Sequence, residues 1–352
     1  MRPQTGAVAA WTTAIALMLG ACGLADERTT QPPAAPTTRG EVTATPSPTI
    51  EPTAKTTAAQ TPAPSVGDAW ARLPDAPAAL TEVGVAVHEG RLWVAGGFAA
   101  DGSASPSAFA LDPVEANWQE EAPLPVPVHH AALVSDGERL WLIGGFVGAG
   151  FELPTDAVWR LGEAGEWQPG PPLPEPRAAA AAVWDGRRIV LAGGVGPDGV
   201  AAEVYALATD VWEQVGALSD ARQHLAATSD GAGHSWFLGG RHSSLATNVG
   251  TVDLVADDDV STVAHLTPRS GVGAFWIAGT GACLVGGETP GGTSPLVECV
   301  DEAGEVAELA PLAVARHGLG VGVLDDGIYA VMGGEEPGLF VSAAVERLAV
   351  ER

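Results

Sequence analysis

The chain has 352 residues, with 45 Gly, 28 Pro and only 17% charged residues, against averages of roughly 7% Gly, 5% Pro and a quarter charged. Its 17 basic and 43 acidic residues leave a formal charge of −26, which speaks against a nucleic-acid partner or direct attraction to an anionic membrane. Length alone suggests two domains at about 150 residues each, an expectation that an internal repeat replaces with one.

Residues 1 to 22 read MRPQTGAVAAWTTAIALMLGAC, with an apolar stretch from Ala7 to Leu19. That stretch is shorter than the roughly 20 apolar residues of a membrane span, and its small-residue end is that of an export signal. It resembles a bacterial lipoprotein signal: residues 1–21 would be removed and Cys22, diacylated, would become the N-terminus at the outer face of the cell membrane. An ordinary secretory signal with an incidental Cys22, or an uncleaved anchor, are the alternatives. Residues 22–66 read as a disordered tether, since Thr29 to Pro64 holds 11 Thr, 8 Pro and 7 Ala. No apolar period there offsets the entropy of ordering. The prolines favour extended geometry, and the Thr/Pro mixture permits O-glycosylation. Four basic and four acidic residues cancel through Val66, so the whole net charge belongs to residues 67–352.

Six apolar runs close on glycine pairs at 96/97, 144/145, 193/194, 239/240, 286/287 and 333/334. A period near 48 residues announces a repeat architecture. Within a unit, a small-residue strand such as HHAALVS is followed by a turn dipeptide, Asp136-Gly137 or its counterparts, and then by an apolar strand such as RLWLIGG. Such dipeptides tolerate the positive φ of tight hairpins. A third strand (EVYALATD) and a fourth starting at Trp118, Trp167 or Trp212 complete the unit. Four short antiparallel strands per period, without helical periodicity after residue 67, describe a propeller blade.

The glycine pairs, the aromatic Phe109 or Tyr205 of the third strand and the fourth-strand Trp resemble kelch repeats. The resemblance covers residues 67–352 and implies an all-β, six-bladed propeller. It weakens in the fifth and sixth repeats. Trp70 lies in a fourth strand with no first three ahead of it, and the segment AAVERLAV is a third strand with no fourth behind it. In the resemblance these halves pair and close the ring, leaving no open edge.

Cys283 and Cys299 fall in neighbouring strands of one unit, and an exported location permits a disulfide; two buried thiols are the alternative. Arg177, Arg222, Arg269 and Arg316 recur at the start of the innermost strand, where the first two repeats have Ala79 and Val128. His129, His130, His224 and His317 follow one or two residues after that position. Superposed about the propeller axis, these residues would ring the channel mouth as a local cationic patch. Two readings follow. Guanidinium forks would clamp a carboxylate or phosphate, with a histidine moving protons; or each arginine bonds the adjacent blade and locks the ring.

Among kelch-type enzymes, a galactose-oxidase-like copper site is excluded by the lack of a suitable Tyr/His set. A sialic-acid-mutarotase-like site fits compartment and size better, its arginines holding a sugar carboxylate. No phosphate-cradling glycine loop, nucleophile elbow or zinc-ligand spacing is present, and Asp257 to Asp259 lack the alternation of a calcium loop, so neither a metal nor another cofactor is expected. The expectation is a monomeric, lipid-anchored binding or scaffolding propeller whose partner is another envelope protein; the alternative is an enzyme or carrier for a small anionic saccharide.

Overall fold

The computed structural model describes residues 64–351 apart from Glu152; the signal segment, Cys22 and nearly all of the tether lie outside these residues. Six four-stranded antiparallel sheets make up the chain's β-propeller. Blade 1 runs Gly84–His88, Arg91–Ala95, Ala108–Asp112 and Asn117–Glu120. Blades 2 to 5 repeat that meander, with innermost strands Ala132–Ser135, Ala181–Trp184, Ala226–Ser229 and Gly273–Ile277. Each innermost strand packs beside the next, and Gly320–Leu324 of blade 6 packs beside Gly84–His88, which closes the circle. Alanine, glycine and valine dominate these strands because six of them converge on one axis and larger side chains would not fit.

Blade 6 is made from both ends of the described chain. Ser65–Leu73 is its outermost strand, antiparallel to Val345–Glu351, with Trp70 opposite Leu348 and Ser65 opposite Glu351. The closing strand therefore starts two residues before Gly67. Trp70 also donates from its indole nitrogen to the Ala310 carbonyl at 2.8 Å. Trp167 and Trp212 do the same to Ala122 and Pro171, both at 3.0 Å. In blades 2, 3 and 6 the fourth-strand tryptophan thus pins its blade to the strand exit of the blade before it. Val306, at this place in blade 5, has no side-chain N–H with which to do so.

The core lies between blades rather than inside one. Leu92 and Val94 of blade 1 pack with Tyr329 and Val331 of blade 6, and Trp141 and Ile143 of blade 2 with Ile189 and Leu191 of blade 3. Cys283 and Cys299 are paired residues of adjacent strands and form a disulfide, so the free-thiol alternative falls.

The glycine pairs sit where blades join. The second residue of each pair donates its N–H to the carbonyl just ahead of the next inner strand, as Gly145 does to Arg177 and Gly240 to Arg269, both at 2.9 Å. A Cβ on Gly144 would lie 2.1 Å from the Arg177 carbonyl oxygen, and its φ is +62°. Blade 6 departs from the sequence spacing by one residue. Met332 and Gly333 take the positive φ values and the two hydrogen bonds, with Gly333 donating to Leu80. Gly334 then bridges His317 as Phe98 bridges Thr81. Leu80, not Ala79, is therefore the blade 1 counterpart of the recurring arginines.

Candidate functional site

Two residues past the arginine position, every blade places one residue in the left-handed region: Glu82, His130, Ala179, His224, Gly271 and Gly318, with φ between +51° and +62°. Their backbones form a closed circle of six hydrogen bonds. His130 donates to Glu82, Ala179 to His130, His224 to Ala179, Gly271 to His224, Gly318 to Gly271 and Glu82 to Gly318, at 2.8–3.1 Å. For Ala179 this φ costs about 1–2 kcal/mol, a strain borne because each N–H and C=O on the axis finds its partner only in this geometry.

Side chains on this ring converge. His130 Nε2 lies 3.0 Å from His224 Nε2 and 3.3 Å from Glu82 Oε2. Blade 3 lies between the two histidines, and Ala179 is small enough to let them meet across it. His129, one residue earlier, places Nδ1 2.6 Å from His130 Nδ1 and Nε2 3.2 Å from the Gly150 carbonyl. His224 Nδ1 faces Gln223 Oε1 at 3.1 Å. His317 donates from Nε2 to the Glu336 carbonyl at 3.0 Å, and its Nδ1 lies 3.5 Å from Glu82 Oε1. Arg241, which follows the blade 4 glycine pair, bonds Glu288 and Ser270 and sets Nη2 3.0 Å from His224 Nε2. Below the ring lies a cavity of about 90 Å³ lined by Glu82, His130, His224 and the small residues Ala179, Gly271 and Gly318.

Burial dominates the electrostatics. It drives the His129 imidazole down to about 3, helped by the neighbouring His130, and holds His130 and His224 below the usual histidine value. Burial alone would raise Glu82, but the charge of His130 and the hydrogen bond with His317 keep it a carboxylate well below its ordinary value. His317 moves the other way: burial opposes its charge, and Glu82 and Glu288 more than compensate.

The arginines expected at the mouth are not there. Arg222 turns into its own blade and bonds Asp253 at 2.9 Å and the Phe237 carbonyl at 3.1 Å. Arg269 does the same with Glu298, the Gly286 carbonyl and the Leu284 carbonyl, and Arg316 with Glu346, the Met332 carbonyl and the Ala344 carbonyl. Arg177 is held more loosely, 3.5 Å from Glu203 and over the Tyr205 ring. All four are buried. Arg222, Arg269 and Arg316 staple second and third strands within a blade, while the contact of all four with the neighbouring blade is made by their backbone carbonyls. Of the expected site residues, His130, His224 and His317 come together, and the four arginines stay outside. Glu82, Arg241 and Glu288 were not foreseen. The expected absence of a metal-ligand set is also corrected, since Glu82, His130 and His224 each offer a ligand atom within 4.8 Å of the others. They come from three blades, so no local spacing signals them.

Comparison with known proteins agrees with this architecture. A kelch motif matches residues 79–125. Beta-scruin of Limulus polyphemus is 33% identical over 76 residues, 22% of this chain and 8% of that protein. Kelch-like protein 35 of Mus musculus is 30% identical over 94 residues, 26% of this chain and 16% of that protein. The chain therefore spans a small fraction of either relative. The solved structure of YjhT superposes with a TM-score of 0.66 at 13% identity, covering 80% of this chain and 99% of that one, a likeness of fold.

Proposed function

We propose that this chain is an extracytoplasmic binding propeller, tethered by a lipid on Cys22, that engages an envelope protein through the loops around the axial ring. One observation carries the reading. Phe151 and Leu153 of blade 2 and Leu339 and Phe340 of blade 6 are 49–65% exposed, whereas the other exposed large apolar side chains among the described residues are single valines, Val114, Val211 and Val306. Both loops lean on blade 1: the Phe151 ring lies 5.5 Å from that of Phe98, and Leu339 approaches Gly102. An apolar surface rimmed by an acidic protein is the pattern of a protein interface. Kelch motifs and the propeller fold support it.

The test is site-specific photo-crosslinking in intact cells. A crosslinker at Phe340 or Phe151 should trap a discrete partner, and Leu339→Glu or Leu153→Glu should abolish the product. A crosslinker at Val211, in the turn just before the outer strand Trp212–Ala217, should not trap it. In the same cells Cys22→Ser should move the protein from the membrane to the soluble fraction. Equal crosslinking at Val211, or none at either loop, overturns the binding reading.

The second reading, chemistry on an anionic saccharide, has lost the arginine ring and keeps Arg241, Glu82 and the histidines. It is favoured instead if acidic sugars raise the melting temperature of the parent protein and Arg241→Ala removes the shift.

A further inference from the structure

We propose that Glu82, His130 and His224 bind one divalent first-row transition ion of zinc type at the propeller axis, with an open position facing the axial cavity. Ligands at about 2.0–2.1 Å around a four-coordinate zinc stand about 3.3 Å apart; His130 Nε2 lies 3.0 Å from His224 Nε2 and 3.3 Å from Glu82 Oε2, and all three donor atoms fall within 4.8 Å of one another, so that a small turn of the Glu82 carboxylate toward His224 completes the set.

Proton bookkeeping gives a second, independent reason. The contacts form a line: Gly150 oxygen, His129, His130, His224, Gln223 oxygen. Four links require four N–H protons, and three neutral imidazoles supply three. The Gln223 amide nitrogen faces the His242 carbonyl, which fixes its oxygen toward His224. Arg241 also points an N–H at His224 Nε2, so that nitrogen presents its lone pair, which the cation takes in place of the guanidinium N–H. A cation between His130 Nε2 and His224 Nε2 closes the count. His129 then donates from Nε2 to Gly150, His130 from Nδ1 to His129, and His224 from Nδ1 to Gln223. Every ring is neutral, as ligation requires, and each ligating ring is oriented by its other nitrogen.

Two further features fit. His317 is buried and its Nδ1 faces Glu82 Oε1 at 3.5 Å, so it stands behind the carboxylate ligand. The space opposite the ligands is kept by Ala179, Gly271 and Gly318 and continues into a second cavity of about 130 Å³ lined by Val83, Ala131, Ala180, Leu225 and Leu319, which both cavities share. A two-histidine, one-carboxylate set with an open position suits zinc or ferrous iron rather than magnesium or calcium. Arg241 opposes the cation by its charge and is restrained by Glu288.

The test uses the full chain, stripped with chelator and titrated with zinc alone and with cobalt alone. One zinc per chain should bind, with binding weakened at least about 100-fold in His224→Ala and in His130→Ala, since losing even outer partners costs 10–100-fold. Arg241→Gln should tighten zinc by about 10-fold or more once the neighbouring charge is gone, and His234→Ala should change nothing. The parent with cobalt should show the intense visible absorption of a four- or five-coordinate site, a readout that needs no variant. Failure to retain zinc overturns the proposal and assigns the missing link to a proton. So does weak, multiple binding unchanged by His224→Ala with a pale six-coordinate cobalt spectrum, which would place the ions on the acidic surface.

Discussion

At the residue scale, the buried arginines show how a periodic sequence signal can be read correctly in position and wrongly in direction. The period placed Arg177, Arg222, Arg269 and Arg316 at equivalent sites but not the side chains' path. Their partners carry the missing signal. Asp253, Glu298 and Glu346 share one register position of the third strand, which Tyr205 fills in blade 3 and Phe109 and Trp159 fill in the two blades without arginine. Arginine with acid in blades 4 to 6, aliphatic with aromatic in blades 1 and 2, and arginine with aromatic in blade 3 fill the same space. Arg222→Ala alone should therefore cost about 3–5 kcal/mol by stranding Asp253. Arg222→Leu with Asp253→Phe, copying Leu80 and Phe109, should recover most of that in urea denaturation; a double variant as unstable as the single one would reject the exchange. The pair also sets a pH dependence. Burial opposes the Asp253 charge, but Arg222 and the hydrogen bonds from Thr262 and Ser219 hold its carboxyl below the ordinary value. The folded state then keeps the carboxylate where the unfolded chain has begun to protonate, so this stability is full above the unfolded pKa near 4 and is lost as pH falls through the lower folded value. The stability gap between the parent protein and Asp253→Asn should accordingly narrow on acidification, and a gap constant from pH 7 to pH 3 would contradict the coupling.

At the scale of elements, the blade grammar was legible because turn chemistry, glycine pairs and tryptophans recur together, and the split sixth blade followed from two unmatched half-repeats. The one-residue shift in blade 6 was hidden because Met332 takes the left-handed conformation that glycine takes in the other five. The closing strand invites a direct test. Deleting residues 1–63 should leave the melting temperature unchanged, since Ser65–Leu73 and its pairing are intact. Deleting through Leu73 removes Trp70 and its bond to Ala310 and leaves Val345–Glu351 as an open edge, so the protein should melt earlier and aggregate with rising concentration. An unchanged melt after the longer deletion would mean that the ring does not depend on this strand.

At the scale of the whole molecule, the propeller brings together what the chain keeps apart. Glu82, His130 and His224 are 48 and 94 residues apart along the chain, and only the ring makes them neighbours. Histidines at the same offset from the repeat were the available hint: His130 and His224 fall on the axial position, His129 and His317 one residue before it. Glu82 occupied the same position unnoticed, because the first repeat lacks the arginine that marks it. A protein with an acidic exterior thus carries His130 and His224 on the axis, among apolar and glycine-rich strands.

The circle of six main-chain hydrogen bonds has a consequence for how such a molecule changes over time. No side chain takes part in those bonds, so what each seat carries is uncoupled from what holds the circle shut. Three seats hold Glu82, His130 and His224, Ala179 leaves one vacant, and those of Gly271 and Gly318 are crowded by His317 and Thr81. Chemistry can be exchanged at one seat while the other five keep the frame, which makes the axis a place where a new activity can be assembled one substitution at a time.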